Sequence, residues 1–168
     1  MTTAQFSDIL EANATYAQDF RLAGLKPEAA RGLGVVTCID SRIEPLTMLG
    51  LVPGDAKIVR NAGARVTDDA LRSMVLAVHL LEVDRIAVIA HTRCRMVGAT
   101  DDQLRATMAE VTGASTEGWS FHAVPDQKPT LLADLAVFRD CPLMPERVAI
   151  AGFVYDVDTG KLELVATA

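Results

Sequence analysis

Two apolar runs rich in β-branched residues each stop on a cluster of residues that carry chemistry. Gly34-Val35-Val36-Thr37 leads into Cys38-Ile39-Asp40-Ser41-Arg42, and Arg85-Ile86-Ala87-Val88-Ile89-Ala90 leads into His91-Thr92-Arg93-Cys94. Short continuous runs of this kind predict buried strands. Both clusters are therefore expected at strand ends.

The rest of the chain supplies the elements around those strands. Phe6, Ile9, Leu10, Asn13, Tyr16, Ala17 and Phe20 recur at helical spacing, which predicts an amphipathic helix over about 4–21 whose apolar stripe needs a surface to cover. Gly24 and Pro27 punctuate the link to a first strand at about 33–39. Glu44 to Gly50 reads as a short helix with proline near its first turn, and a second strand follows at about 56–60. Thr67-Asp68-Asp69 places oxygen acceptors and negative charge where a helix has free amides, and Leu71, Met74, Val75, Val78 and Leu81 give that helix a stripe. It delivers the chain to the third strand, 85–91. Thr100-Asp101-Asp102-Gln103 repeats the same cap chemistry without matching flanks, so it marks a second helix start rather than an internal repeat. Residues 113–129 are irregular, a helix is expected near 130–139, a strand at 147–155, and Asp158-Thr159-Gly160 turns into a last strand at 161–165.

Strands alternating with helices predict an α/β fold: a mainly parallel sheet of about four strands plus an added edge strand, flanked by helices, with an extended N-terminal helix. Ligands of such sheets bind beyond the carboxyl ends of the strands, where Cys38 and His91 are placed. With 168 residues, half of them hydrophobic, one domain over 1–168 is expected. A net charge of −6 argues against nucleic acid or an anionic membrane as partner, because phosphate binding needs a concentrated excess of Lys and Arg. The first residues lack a basic, apolar leader and no uncharged stretch is long enough to span a bilayer, so a cytoplasmic protein is expected. Three cysteines cannot all pair, and in a reducing compartment a Cys/His set reads as metal-binding or catalytic. Cys141 is left as a structural thiol.

Zinc takes Cys sulfur and His nitrogen, usually in a tetrahedron. Cys38, His91 and Cys94 offer three ligands and leave the fourth position to be decided. Asp40 lies two residues beyond Cys38, so in extended chain its side chain returns to the same face. If Asp40 ligates, the site is closed; if it does not, a water can bind and become a hydroxide nucleophile near neutral pH. Arg42, two residues further, can hold the Asp40 carboxylate by a two-pronged hydrogen bond and pull it off the metal.

These residues resemble the beta-class carbonic anhydrases, on Cys38-x-Asp40-Ser41-Arg42, His91-Thr92-x-Cys94 and Arg60-Asn61-Ala62-Gly63. The order of elements from about 4 to 165 is similar to that of the compact members. The resemblance implies zinc on Cys38, His91 and Cys94, and an Asp40–Arg42 dyad that opens or closes the fourth position, with Asp40 as the closing ligand. It also implies reversible hydration of carbon dioxide to bicarbonate. A homodimer or dimer of dimers follows from it too, with the N-terminal helix lying across the partner. Gly63 is taken as a substrate-binding position. Two departures stand out: Cys94 is followed by Arg95 where the family usually has Gly, and Gly63 by Ala64 where it often has a second Gly.

Plainer roles compete with these. A lone Cys38 or Cys94 would be read as a buried thiol, Asp40–Arg42 as a structural ion pair, Arg60 as a strand-end anchor and Gly63 as a turn. His79 sits in a helix stripe, and His122 belongs to the irregular segment near Trp119. Other functions on the same zinc site are a carbonyl sulfide or carbon disulfide hydrolase, or a weakly active or inactive zinc protein in which Arg95 obstructs the pocket. A Cys-x5-Arg phosphatase loop fails because Thr100 stands where the arginine belongs, and the paired-Cys signature of zinc deaminases is absent.

Overall fold

A computed structural model describes residues 4–168. Five strands form one sheet in the order β2-β1-β3-β4-β5, where β1 is Leu33–Cys38, β2 Ala56–Asn61, β3 Arg85–His91, β4 Ala149–Tyr155 and β5 Leu162–Thr167. The first four are parallel, and β5 runs antiparallel to β4 with an irregularity between Gly152 and Phe153. The expected four parallel strands and edge strand are all present. Thr37 pairs with Ile89, so the two central strands end side by side and carry Cys38 and His91 to the same rim of the sheet.

Two helices bury one face. Helix α3, Asp68–Leu80, begins at Thr67, whose side chain accepts from the Ala70 amide, and α5, Gln127–Arg139, packs beside it. Val36, Val88 and Ile150 meet Met74, Leu135 and Phe138 there in the main core. The residues α3 buries are Ala70, Met74, Ala77 and Val78, whereas Leu71, Val75 and Leu81 are only partly covered. Small alanines, rather than the bulkier stripe, let this helix approach the strands. Gly34 is part of the same fit: a β-carbon there would sit 2.8 Å from the Met74 sulfur.

Helix α5 starts at Gln127, earlier than the predicted 130. Pro129 lies within its first turn, where amides have no intrahelical partner and the missing N–H costs nothing. The strand predicted from 147 starts at Ala149, because Val148 closes a turn onto the Pro145 carbonyl at 3.0 Å.

The opposite face is much barer. Val35, Ala87 and Ile89 are covered by the short helix α2, Pro45–Met48, and its neighbours. Beside them an apolar trough of about 320 Å³ remains, lined by Leu33, Leu51, Ala151 and Phe153 together with Arg31 and Arg85. Helix α1, Ser7–Gln18, ends short of the predicted residue 21 and buries no residue. Phe6, Ile9, Leu10, Tyr16 and Phe20, in and beside it, stand between 48% and 60% exposed, so the amphipathic stripe has no cover among the described residues. No helix among the described residues is long and apolar enough to cross a membrane.

Residues between α4, Asp101–Thr112, and α5 are irregular, as predicted, but one carboxylate organises them. Asp101 accepts from the amides of Ala123 (2.8 Å) and Phe121 (2.9 Å) and from the Ser120 hydroxyl (3.1 Å). Those bonds, led by the Ala123 amide, hold its carboxyl below the ordinary range. A depressed folded pKa stabilises above the unfolded value, about 3.9, and that stabilisation is lost as pH falls through the lower folded value. The Phe121 and Ala123 amide resonances are therefore expected to titrate together in acid at a pH below 3.9, and Asp101→Asn to cost about 1–2 kcal/mol in denaturant unfolding at neutral pH.

Candidate metal centre

The rim formed by the ends of β1 and β3 brings the three expected ligands together. The Cys38 and Cys94 sulfurs and a His91 ring nitrogen all lie within 4.8 Å of one another. All three side chains are buried. Cys38 ends β1 and His91 ends β3, while Cys94 arrives through a tight turn in which Arg93 takes a left-handed φ of 54°.

The imidazole is set for a metal. Its Nδ1 lies 2.9 Å from the Thr92 carbonyl, which can only accept, so Nδ1 carries the proton and Nε2 a lone pair. Among the described residues that Nε2 is buried without a hydrogen-bond partner. An orphaned buried acceptor beside two sulfurs is the donor set of a zinc-like cation.

The thiols titrate as a pair. The neighbouring Cys94 thiol, then the His91 ring and the Gly63 and Asp40 backbone amides, pull the Cys38 thiol down against burial. Cys94, left as the donor to Cys38 and buried as well, is pushed up. One thiolate is thus favoured by the fold alone, and a second needs a bound cation.

Asp40 is held beside this cluster but away from it. Its Oδ1 accepts from the Arg42 backbone amide (3.0 Å) and Nε (2.9 Å), and its Oδ2 from Arg42 Nη2 (2.7 Å). Oδ2 stands 3.9 Å from His91 Nε2. The Arg42 side chain, and next its amide, keep the Asp40 carboxyl well below the usual carboxylate range. Arg42 Nη2 also donates to the Arg93 carbonyl at 3.2 Å, which ties the dyad to the loop that carries Cys94. Arg60 braces the other side, donating to the carbonyls of Cys38 (2.9 Å) and Asp40 (2.8 Å).

Gly63 sits in the Ala62–Ala64 turn with φ 84° and presents its amide to the Cys38 sulfur, so it is placed beside a ligand. Ala64, at φ 59°, takes a left-handed conformation that glycine would adopt more easily. Arg95 neither takes a left-handed conformation nor engages Asp40. The left-handed residue of that loop is Arg93, and Arg95 is exposed, with no side-chain hydrogen bond to the described residues and Asp40 already engaged by Arg42.

His79 and His122 lie outside the group. His79 Nε2 meets the Leu143 carbonyl at 2.8 Å, and His122 contributes its carbonyl to Arg65. Cys141 is a free, partly buried thiol against the core.

Several supporting contacts were not read from the sequence. Gln127, at the start of α5, donates to the His91 carbonyl at 2.6 Å. Thr92 is clasped by the turn after β4: its amide donates to the Tyr155 carbonyl (2.9 Å) and its hydroxyl accepts from the Val157 amide (3.1 Å). Arg93 pairs with Asp158 in that same turn. Arg65 and Asp134 form a buried ion pair behind the site.

Comparison with known proteins agrees with this geometry. The family model described as carbonic anhydrase matches residues 33–119. The beta-carbonic anhydrase 1 of Mycobacterium tuberculosis is 34% identical over 158 residues, covering 94% of this chain and 96% of that protein. A carbon disulfide hydrolase of Saccharolobus solfataricus is 32% identical over 181 residues, covering 93% of this chain and 88% of that protein. Among solved structures, the carbonic anhydrase of Streptococcus mutans superimposes with a TM-score of 0.90 at 34% identity, over 99% of each chain.

Proposed function

We propose that this chain, which belongs to the beta-carbonic anhydrase family, catalyses the reversible hydration of carbon dioxide to bicarbonate with zinc held by Cys38, His91 and Cys94. The observation that carries this reading is the two-pronged Arg42–Asp40 pair. It keeps the carboxylate that stands 3.9 Å from His91 Nε2 off the fourth metal position. Zinc, when bound, supplies the Lewis acidity that makes water a hydroxide source near neutral pH.

The residues around it do the orienting. Asp40, held ionised by Arg42, is acceptor-only, so it would accept a hydrogen bond from a water activated by bound zinc and so orient it. Arg42 fixes that carboxylate, and the Arg93 carbonyl fixes Arg42. Cys38 and Cys94 as thiolates neutralise the cation, and the Thr92 carbonyl holds His91 in the ligating tautomer. Stopped-flow hydration of carbon dioxide by zinc-loaded protein tests the proposal; no activity across the pH range would end it.

Similarity to a carbon disulfide hydrolase keeps a second substrate class open on the same residues. Sulfide release from carbon disulfide with little bicarbonate formation would favour that class.

Assembly as a homodimer or dimer of dimers is part of the proposal. Helix α1 has an uncovered apolar side, and the sheet has an uncovered apolar trough of about 320 Å³ bordered by Arg31 and Arg85. Asp8 and Glu11 of α1 would complement those arginines if the helix of one copy lay on the sheet of another. Removing residues up to Phe20 is expected to reduce the mass measured by light scattering to that of a monomer; an unchanged mass would contradict this packing. The three free thiols suit a reducing compartment, so the cytoplasm is the proposed location.

A further inference from the structure

Behind the ligands lies a charge pair that the mechanism does not use. Arg65 donates from Nε and Nη2 to Asp134 at 2.8 and 3.1 Å, and from Nη1 to the carbonyls of His122 and Ala123, both at 2.9 Å. The side chains are 18% and 4% exposed. A buried charged pair is weak evidence for stability, because apolar residues of similar size often serve as well. Its partners suggest another role.

Each of the three segments that Arg65 joins leads to a different ligand. Its own backbone is clasped by Asn61, whose side chain accepts from the Arg65 amide and donates to the Arg65 carbonyl, both at 2.7 Å. That closes the turn whose Gly63 amide faces the Cys38 sulfur. Residues 122–124 form the second segment: the Val124 amide donates to the Met96 carbonyl (3.2 Å) and its carbonyl accepts from Gly98 (2.9 Å), holding the chain that leaves Cys94. Val124 also presses on Gly63, where a β-carbon would come within 3.1 Å of it. The third is α5, which carries Asp134 and also Gln127, the residue bonded to the His91 carbonyl.

We propose that Arg65 and Asp134 are positioning residues for the metal site, one guanidinium fixing the relative placement of the segments that support Cys38, Cys94 and His91. The proposal rests on the reading of those three residues as metal ligands. Loss of outer groups that orient ligands lowers metal affinity about 10–100-fold.

The test uses Arg65→Lys and the double variant Arg65→Met/Asp134→Leu. Lysine keeps the charge opposite Asp134 but cannot reach the carboxylate and both carbonyls together, and the double variant leaves no charge buried alone. Three measurements are made on the full chain: thermal unfolding without metal, zinc affinity by chelator competition, and the sulfur-to-cobalt charge-transfer band after cobalt substitution. The double variant is expected to keep the unfolding midpoint of the metal-free parent, yet both variants should bind zinc about 10–100-fold more weakly and shift the cobalt band. Parental zinc affinity and an unshifted band in either variant would overturn the proposal. A parent protein that gives no sulfur-to-cobalt band would instead overturn the ligand assignment.

Discussion

In a His91→Ala variant, stoichiometric zinc is expected to be lost on dialysis, and carbon dioxide hydration with it, by more than the roughly 100-fold that removal of an orienting partner alone produces. The reason lies in the donor set. Among the described residues Nε2 of His91 is buried without a hydrogen-bond partner, an arrangement that costs about 1–3 kcal/mol unless something ligates it. Removing the ring takes away the neutral ligand and leaves two sulfurs. The metal-free variant loses a buried ring and its bond to Thr92 and should unfold more easily than metal-free parent, while the gain in unfolding temperature that zinc gives the parent should vanish. Elemental analysis and thermal unfolding with and without zinc measure both effects. Undiminished zinc content in the variant would mean that the metal, if any, is held elsewhere.

Arg42→Met is expected to separate metal binding from activity. Without the guanidinium, Asp40 loses both of its side-chain hydrogen bonds, with only the backbone amide of residue 42 left to hold it. Its Oδ2 already lies 3.9 Å from His91 Nε2, so rotation towards a metal held there becomes the favourable outcome. Zinc should be retained while kcat falls by about 10²–10³-fold, the range typical of losing a preorganised electrostatic group. Arg42→Lys should not restore the rate, because an ammonium cannot bind both carboxylate oxygens and also reach the Arg93 carbonyl. Parental turnover in Arg42→Met would remove the dyad from the mechanism.

Much of the site was legible because its signals are local. Cys38 and His91 follow apolar runs that could only be buried strands, and the parallel pairing of those runs brings both residues to one rim. Asp40 and Arg42 were legible as a pair of complementary charges, but a turn just past the strand, closed by the Ile43 amide on the Asp40 carbonyl and the Arg42 amide on Asp40 Oδ1, brings them together rather than alternation in extended chain. What escaped is held by long-range contact. Nothing near Arg65 announces Asp134, 69 residues away, and nothing near His91 announces Gln127. Pro129 was taken as a break when it occupies a first helical turn, which hid Gln127 further. The buried side of α3 was misjudged because two of its four buried residues are alanines, which carry little hydrophobic signal yet allow the closest approach. Arg95 illustrates the converse: it departs from the family pattern, yet the left-handed residues around the site are Arg93 and Ala64.

The central claim is that Arg42 keeps Asp40 off a metal bound by three residues, leaving a position open for chemistry. A crystal structure of the zinc-loaded protein near neutral pH tests it most directly. The expected result is zinc bound by Cys38 Sγ, His91 Nε2 and Cys94 Sγ, a non-protein fourth ligand, and Asp40 still paired with Arg42. Zinc with Asp40 as its fourth ligand at that pH, and Arg42 turned away, would contradict the account.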